Sequence, residues 1–190
     1  QVNESALTGE STNVEKTQGS LPEDLPLADR RNMVYSGSLV TYGRAQVLVT
    51  GTGMHTEIGK IAGMMNDIRE NVHDWSDRDE VKSYLGKMLD GQVFDKKGLI
   101  YGMGHAVYSL SDPRERVFRS YAEHLAEAKG RQKDMNLYNM IEEVAPELIA
   151  EKRHIFKGVS PNVDFYSGFV YEMLGIPSEL YTPLFAIARI

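Results

Sequence analysis

The spacing of apolar residues changes character along the chain. Between Met33 and Thr50, "MVYSGSLVTY" and "AQVLVT" are β-branched and aromatic runs parted by Gly43 and Arg44, which predicts two strands joined by a hairpin turn. Ahead of them, "QGSLPEDLPLADRRN" is polar and marked by proline, as expected of a loop. Past residue 66 the period becomes helical. Ser76 opens "SDRDEVKSYLGKMLDG" as a cap with an acid three positions on, Val81, Tyr84, Leu85, Met88 and Leu89 share one stripe, and Gly91 stops it. The next stretch, "SDPRERVFRSYAEHLAEAKG", repeats that plan. Asp112 caps, Pro113 takes the first helical position, Val117, Tyr121 and Leu125 form the predicted buried stripe, and Gly130 ends it. A third helix is expected over "MNLYNMIEEVAPELIAEKR", kinked or restarted at Pro146, and two more over "NVDFYSGFVYEMLG" and "SELYTPLFAIARI".

Composition adds a seam to this picture. Residues 1 to 66 hold seven of the eight threonines and none of the six phenylalanines, whereas residues 67 to 190 hold Thr182 alone and every Phe. A single core rarely sorts its residues so sharply. The reading is two pieces, 1–65 and 66–190, joined near Met64, Met65 and Asn66. The fold class is α+β, a partial β-rich piece followed by a mostly α-helical one, with no shared core. No repeat of 20 to 50 residues links the two.

The totals exclude several classes of function. A net charge of −6 argues against an electrostatic grip on nucleic acid or an anionic membrane, which needs clustered Lys and Arg. There is no run of about 18 apolar residues and no signal-like start. Zero cysteines leave no disulfide framework and no thiolate metal site. A cytoplasmic setting is the expectation.

The string "ESALTGES", Glu4 to Ser11, with "NMVYSGSLVTYGRAQVLVTGTGMHTEIGKIA" after it, resembles the actuator domain of P-type cation-transporting ATPases from Gln1 to about Met65. In such a loop Gly9 permits a tight turn that projects Glu10, so that a carboxylate can orient water against an aspartyl phosphate. By this resemblance Thr8, Gly9, Glu10 and Ser11 form the dephosphorylation loop. The phosphorylated aspartate of that family lies in an Asp-Lys-Thr-Gly-Thr motif. The nearest string, "DKKGL" at Asp95 to Leu99, lacks both threonines and reads as a turn. The family's earlier strands are also missing, and an uncovered sheet edge predicts poor stability for this piece.

From the seam onward, "MMNDIRENVHDW", "GLIYGMGHAVYSLSDPR", "LYNMIEEVAPELIAEKR", "PNVDFYSGFVYEMLGIP" and "ELYTPLFAIARI" are similar to the carboxyl-terminal part of citrate synthase, about two thirds of the chain. That family condenses acetyl-CoA with oxaloacetate. The chemistry needs a carboxylate base in a dry pocket and donors for the developing enolate oxygen. The resemblance makes Asp164 the base, His105 the group that polarises the oxaloacetate carbonyl, and Arg114 a planar clamp on a substrate carboxylate. It also places the adenine part of CoA against backbone from Leu99 through Gly102 to Gly104. No permanent cofactor or metal is implied, acetyl-CoA is a co-substrate, and the intact family is a homodimer.

Without the family the same residues carry plainer readings. Asp164 suits a helix cap and His105 a Gly-flanked turn. Arg114 in a first helical turn opposes the dipole, which favours a binding role. His124 and Glu127, one turn apart, are too few for a metal site. His73, His124 and His154 read as surface residues and His55 as a loop histidine. The strand-Gly51-Gly53-helix order in "VLVTGTGMHTEIGKI" imitates a dinucleotide turn, but Thr56 stands at its third position and no acid follows about 20 residues on.

The resemblance also implies partners for these groups that the chain does not match. One active-site histidine steadies the enol and another holds oxaloacetate, both upstream, where this chain is ATPase-like. Further arginines lie past "FAIARI". Groups that act as a unit fail together, so the expectation is a chimera-like fragment of a citrate synthase-like acyltransferase without useful activity of its own. Two alternatives stand beside it: an actuator fragment, and a non-catalytic helical module held to a partner by exposed apolar faces.

Overall fold

A computed structural model describes residues 1–4, 13–22, 25, 29–35, 38–104, 112–154, 158–181 and 184. The amino-terminal region contains a short antiparallel ladder, β1 (Val2–Asn3) against β2 (Leu39–Val40), in the register Val2 to Val40 and Asn3 to Leu39. Val14 bridges the other side of Val2 through mutual amide bonds of 2.9 and 2.8 Å. The predicted hairpin does not form. Residues 43–50 have no regular structure, and Val47, Leu48 and Val49 are 60, 84 and 73% exposed. β propensity reflects packing on a pleated surface, and among the described residues no strand pairs with "AQVLVT".

The seam lies inside a helix. In α1 (Glu57–Asn71), Thr56 caps the start by accepting from the Gly59 amide at 3.1 Å, while its own hydroxyl donates to the Gly53 carbonyl at 2.7 Å. The short 3-10 turn Gly53–His55 thus closes onto the helix, so tightly that a Cβ on Gly59 would sit 2.3 Å from the Gly53 carbonyl oxygen. Ile58, Ile61, Met64, Met65, Ile68 and Val72 recur every three or four positions and are all buried, as an amphipathic helix requires. Ile61, Met64 and Met65 join the main core, and Ile58 packs on Tyr181. For this helix the expectation of separate cores does not hold, because one apolar stripe runs unbroken across the change in composition.

The remaining helices follow the punctuation. Asp77, rather than Ser76, caps α2 (Arg78–Leu89), accepting from the Asp79 and Glu80 amides at 2.9 and 3.2 Å. Its predicted stripe is buried throughout. In α3 (Pro113–Ala128), Asp112 accepts from the Arg114 amide at 2.9 Å and Pro113 stands at the first position. The stripe is only partly the expected one: Leu125 packs against the core, but Val117 and Tyr121 are 60 and 70% exposed, and Glu115, Ala122 and Ala126 face inward. Small alanines let α3 lie close to its neighbours, which large side chains would prevent.

α4 (Gln132–Arg153) runs through Pro146 without restarting and ends at His154 in a left-handed conformation, φ 53°. Val144, Ala145 and Leu148, all buried, hold the segment across the missing amide donor. α5 (Asp164–Met173) follows, and α1 packs on it, as does α3. α3 also meets α4, and α2 lies along α4. The center is aromatic. Tyr138 stacks on Phe169 at a centroid distance of 4.7 Å and meets Phe165 edge-on at 5.3 Å. Of the final helix expected over "SELYTPLFAIARI", residues 182–183 and 185–190 lie outside the described residues, and Ser178–Leu180 is a 3-10 turn.

A charged ring fastens α1 to the carboxyl-terminal helices. Arg69 reaches Asp134 at 2.9 Å and Glu172 at 3.2 Å, and Arg131 reaches the same two acids at 2.6 and 2.8 Å. The Asp134 carboxyl is raised by burial and lowered by Arg131 and Arg69, and the arginines win, so its pKa lies below the usual value.

Candidate active site

The sequence around Asp164 builds a turn before it builds a helix. Asn162 places its side-chain carbonyl 3.1 Å from the Asp164 amide, and its backbone carbonyl accepts from the Phe165 amide at 3.1 Å. An Asx-type turn of this kind satisfies amide donors that the first turn of α5 would otherwise leave unpaired. Asp164 becomes the first helical residue, 3% exposed, where the helix dipole favours a carboxylate.

The glycine loop is fastened to this turn. The Gly104 amide donates to the Ser160 carbonyl at 2.8 Å, the Asn162 amide donates to the Gly102 carbonyl at 2.9 Å, and Met103 and Pro161 form an antiparallel bridge. The Asn162 side-chain amide reaches the Gly104 carbonyl at 3.4 Å. Gly102 has φ +81°, and a Cβ there would lie 2.9 Å from the Phe165 ring and 3.2 Å from the Phe165 Cα, so only glycine permits this approach. Leu99 is about half exposed at 49% on the same loop.

Arg114 lies in the first turn of α3, the helix that packs along α5. Asp112, fully buried, accepts from its Nε at 3.0 Å and its Nη2 at 2.8 Å, a two-pronged pair that sets the plane of the guanidinium. Of the sequence-predicted residues, Gly102, Gly104 and Asp164 are thereby brought together, and Arg114 sits at the head of an adjoining helix. His105 and the loop Thr8, Gly9, Glu10 and Ser11 lie outside the described residues. "DKKGL" is a turn in which the Asp95 carboxylate accepts from the Lys97 amide at 3.0 Å and from the Tyr101 hydroxyl.

Sequence reading missed Asn162 and the clasp of Asp112 on Arg114. An Asn two residues before a helical Asp signals an Asx turn, and an Asp-Pro-Arg string allows one carboxylate both to cap and to pair. It also missed Glu115, 3% exposed between α3 and its neighbours. Burial pushes that carboxyl up to about 7, Glu142 and Asp112 add to the shift, and Arg119 and Arg116 oppose it. Among the described residues no group of three or more His, Cys, Asp or Glu could hold a metal ion, and no helix is long and apolar enough to cross a membrane.

Comparison with known proteins divides the chain along the same lines. The family model for the P-type ATPase actuator domain matches residues 1–66, and that for the citrate synthase C-terminal domain matches residues 52–190, so both include the first part of α1. Citrate synthase of Deinococcus radiodurans is 47% identical over 112 residues, 59% of this chain and 27% of that protein. A calcium-transporting ATPase of Listeria monocytogenes is 56% identical over 64 residues, 34% of this chain and 7% of that protein. Citrate synthase from Thermoplasma acidophilum, solved as a ternary complex with carboxymethyl coenzyme A and oxaloacetate, aligns with TM-score 0.50 and 27% identity. That alignment covers 70% of this chain and 32% of the neighbour. The chain thus spans about a third or less of each of these proteins. An actuator-like stretch precedes its helical body, and through residues 52–190, which match that family's C-terminal domain, the chain belongs to the citrate synthase family.

Proposed function

We propose that the helical body carries the base-bearing part of a citrate synthase site and does not complete the reaction alone. The observation that carries this reading is the docking of the Gly102–Gly104 loop on the Ser160–Asn162 turn, which puts the backbone leading into His105 beside the helix start that holds Asp164. In the proposed chemistry the Asp164 carboxylate takes a methyl proton of acetyl-CoA. The enolate carbon then attacks the oxaloacetate carbonyl polarised by His105, and Arg114 holds a substrate carboxylate. Leu99, Gly102 and Gly104 supply backbone contacts to the CoA adenine. The stretch ahead of α1 matches an actuator and supplies no counterpart to the family's upstream histidines. The same reading makes the cytoplasm the compartment and a second synthase-like subunit the partner.

Carboxymethyl-CoA provides the test. Amide exchange across residues 98–104 should slow on its addition, while acetyl-CoA mixed with oxaloacetate should release no thiol above the uncatalysed rate. Turnover comparable to an intact synthase contradicts incompleteness, and unchanged exchange contradicts the CoA contacts.

The actuator match over residues 1–66 supports a second reading for that stretch alone, with Thr8, Gly9, Glu10 and Ser11 as a dephosphorylation loop. It calls for faster phosphate loss from a separately supplied phosphorylated ATPase domain, abolished by Glu10→Ala. No acceleration counts against it.

A further inference from the structure

At the head of α3, Glu115 occupies the third helical position, where a carboxylate ordinarily turns outward to the free amides of the helix start. Here the side chain turns inward and is 3% exposed, and among the described residues its Oε1 has no hydrogen-bond partner. The groups around it are already committed. From α4, Glu142 faces it, held by Arg119 at 3.0 Å and by the Tyr166 hydroxyl of α5. Arg119, on α3 itself, is shared with Glu123 at 3.1 Å, and Asp112 is engaged by Arg114 at 2.8 Å. Arg116 lies on the exposed side of α3. The cation that acts on it most strongly, Arg119, therefore already serves two carboxylates, and among the described residues a third negative charge in this closed space would meet Glu142 and Asp112 with little to balance it.

We propose that Glu115 is a proton-operated catch: its neutral carboxyl seats the first turn of α3, with Asp112 and Arg114, against α4 and α5, and loss of the proton loosens that turn. The inference is independent of the reaction assigned above. Burial, with Glu142 and Asp112, holds the proton up to about pH 7. An unfolded chain releases it near the ordinary glutamate value, about 4.3. The folded state thus binds the extra proton between these values, so stability falls as pH rises through that window and levels off above it.

Urea unfolding of the whole chain from pH 5 to 8.5, beside Glu115→Gln, tests the catch. One proton changes the unfolding constant by up to about tenfold per pH unit. The wild type should lose stability relative to the variant by about that factor or more between pH 5 and 7, and the gap should still be narrowing at pH 5, toward the unfolded glutamate value of about 4.3. Parallel profiles overturn the proposal. Carbon-13 NMR of the Glu115 carboxyl in the unaltered chain is the companion measurement, decisive even if the variant fails to fold. A midpoint near 7, with exchange at residues 113–118 rising from pH 6 to 8 more than across α4, supports it. An ordinary midpoint, or a rise shared equally with α4, overturns it.

Discussion

Replacing Phe165 by alanine should lower the free energy of unfolding by about 4 kcal/mol, near the upper range for a large-to-small change in a core. The ring is fully buried, edge-on to Tyr138 at 5.3 Å and to Tyr166 at 5.0 Å. It also supports the turn at Gly102, whose backbone lies against it. Truncation would leave a void beneath the loop and the helix start together, a place where neither wall can collapse without breaking the bonds from Asn162 to Gly102 and Gly104. Urea unfolding measures the loss, and Phe165→Leu should recover most of it. A loss below about 1 kcal/mol would mean that the aromatic center is loosely packed and that the loop is held by its backbone bonds alone.

Asp134→Ala should cost about 3 kcal/mol, because it removes the acid that Arg69 and Arg131 share and leaves Glu172 as the one carboxylate that both partly buried guanidinium groups still reach among the described residues. The side chains of Arg69 and Asp134 are only 13 and 12% exposed, which places this pair closer to the buried than to the surface case. The pH dependence follows from the direction of the shift. A carboxyl whose folded pKa lies below its unfolded one stabilises above the unfolded value, about 3.9 for Asp, and that contribution is lost as pH falls through the folded value. Acid unfolding of the wild type should be steeper below pH 4 than that of Asp134→Ala. Equal acid limbs would show that the ring contributes nothing through this residue.

Opposite slopes at the two acids come from the same elementary competition. Both are buried. Asp134 has two arginines within 3 Å, whereas Glu115 shares its nearest arginine with Glu123 and Glu142.

The helical elements were legible in the sequence because their signals are local. Asp112, Pro113 and Gly130 bracket α3 as expected, and the stripe of α2 is buried as read. What the sequence concealed depends on partners. The exposed face of α3 carries Val117 and Tyr121, while its inner face carries alanines beside Leu125, so two of the three residues of the expected stripe pointed to the wrong side. "AQVLVT" has strong strand propensity, yet among the described residues no strand pairs with it. The family string points to Asp164, but the way Asn162 joins it to the Gly104 loop is a tertiary fact with only a faint Asx-turn signal ahead of it. The change in composition near Met65 was equally visible, while the continuity of α1 across it rests on apolar spacing shared by both stretches.

Through that continuity the helix containing the seam packs into the same core as α4 and α5. Native-state amide exchange of the whole chain tests it directly. Amides of residues 61–71 should exchange with the same protection as those of α4 and α5, through one cooperative opening. Exchange of those residues as fast as residues 43–50, with α4 and α5 still protected, would contradict it.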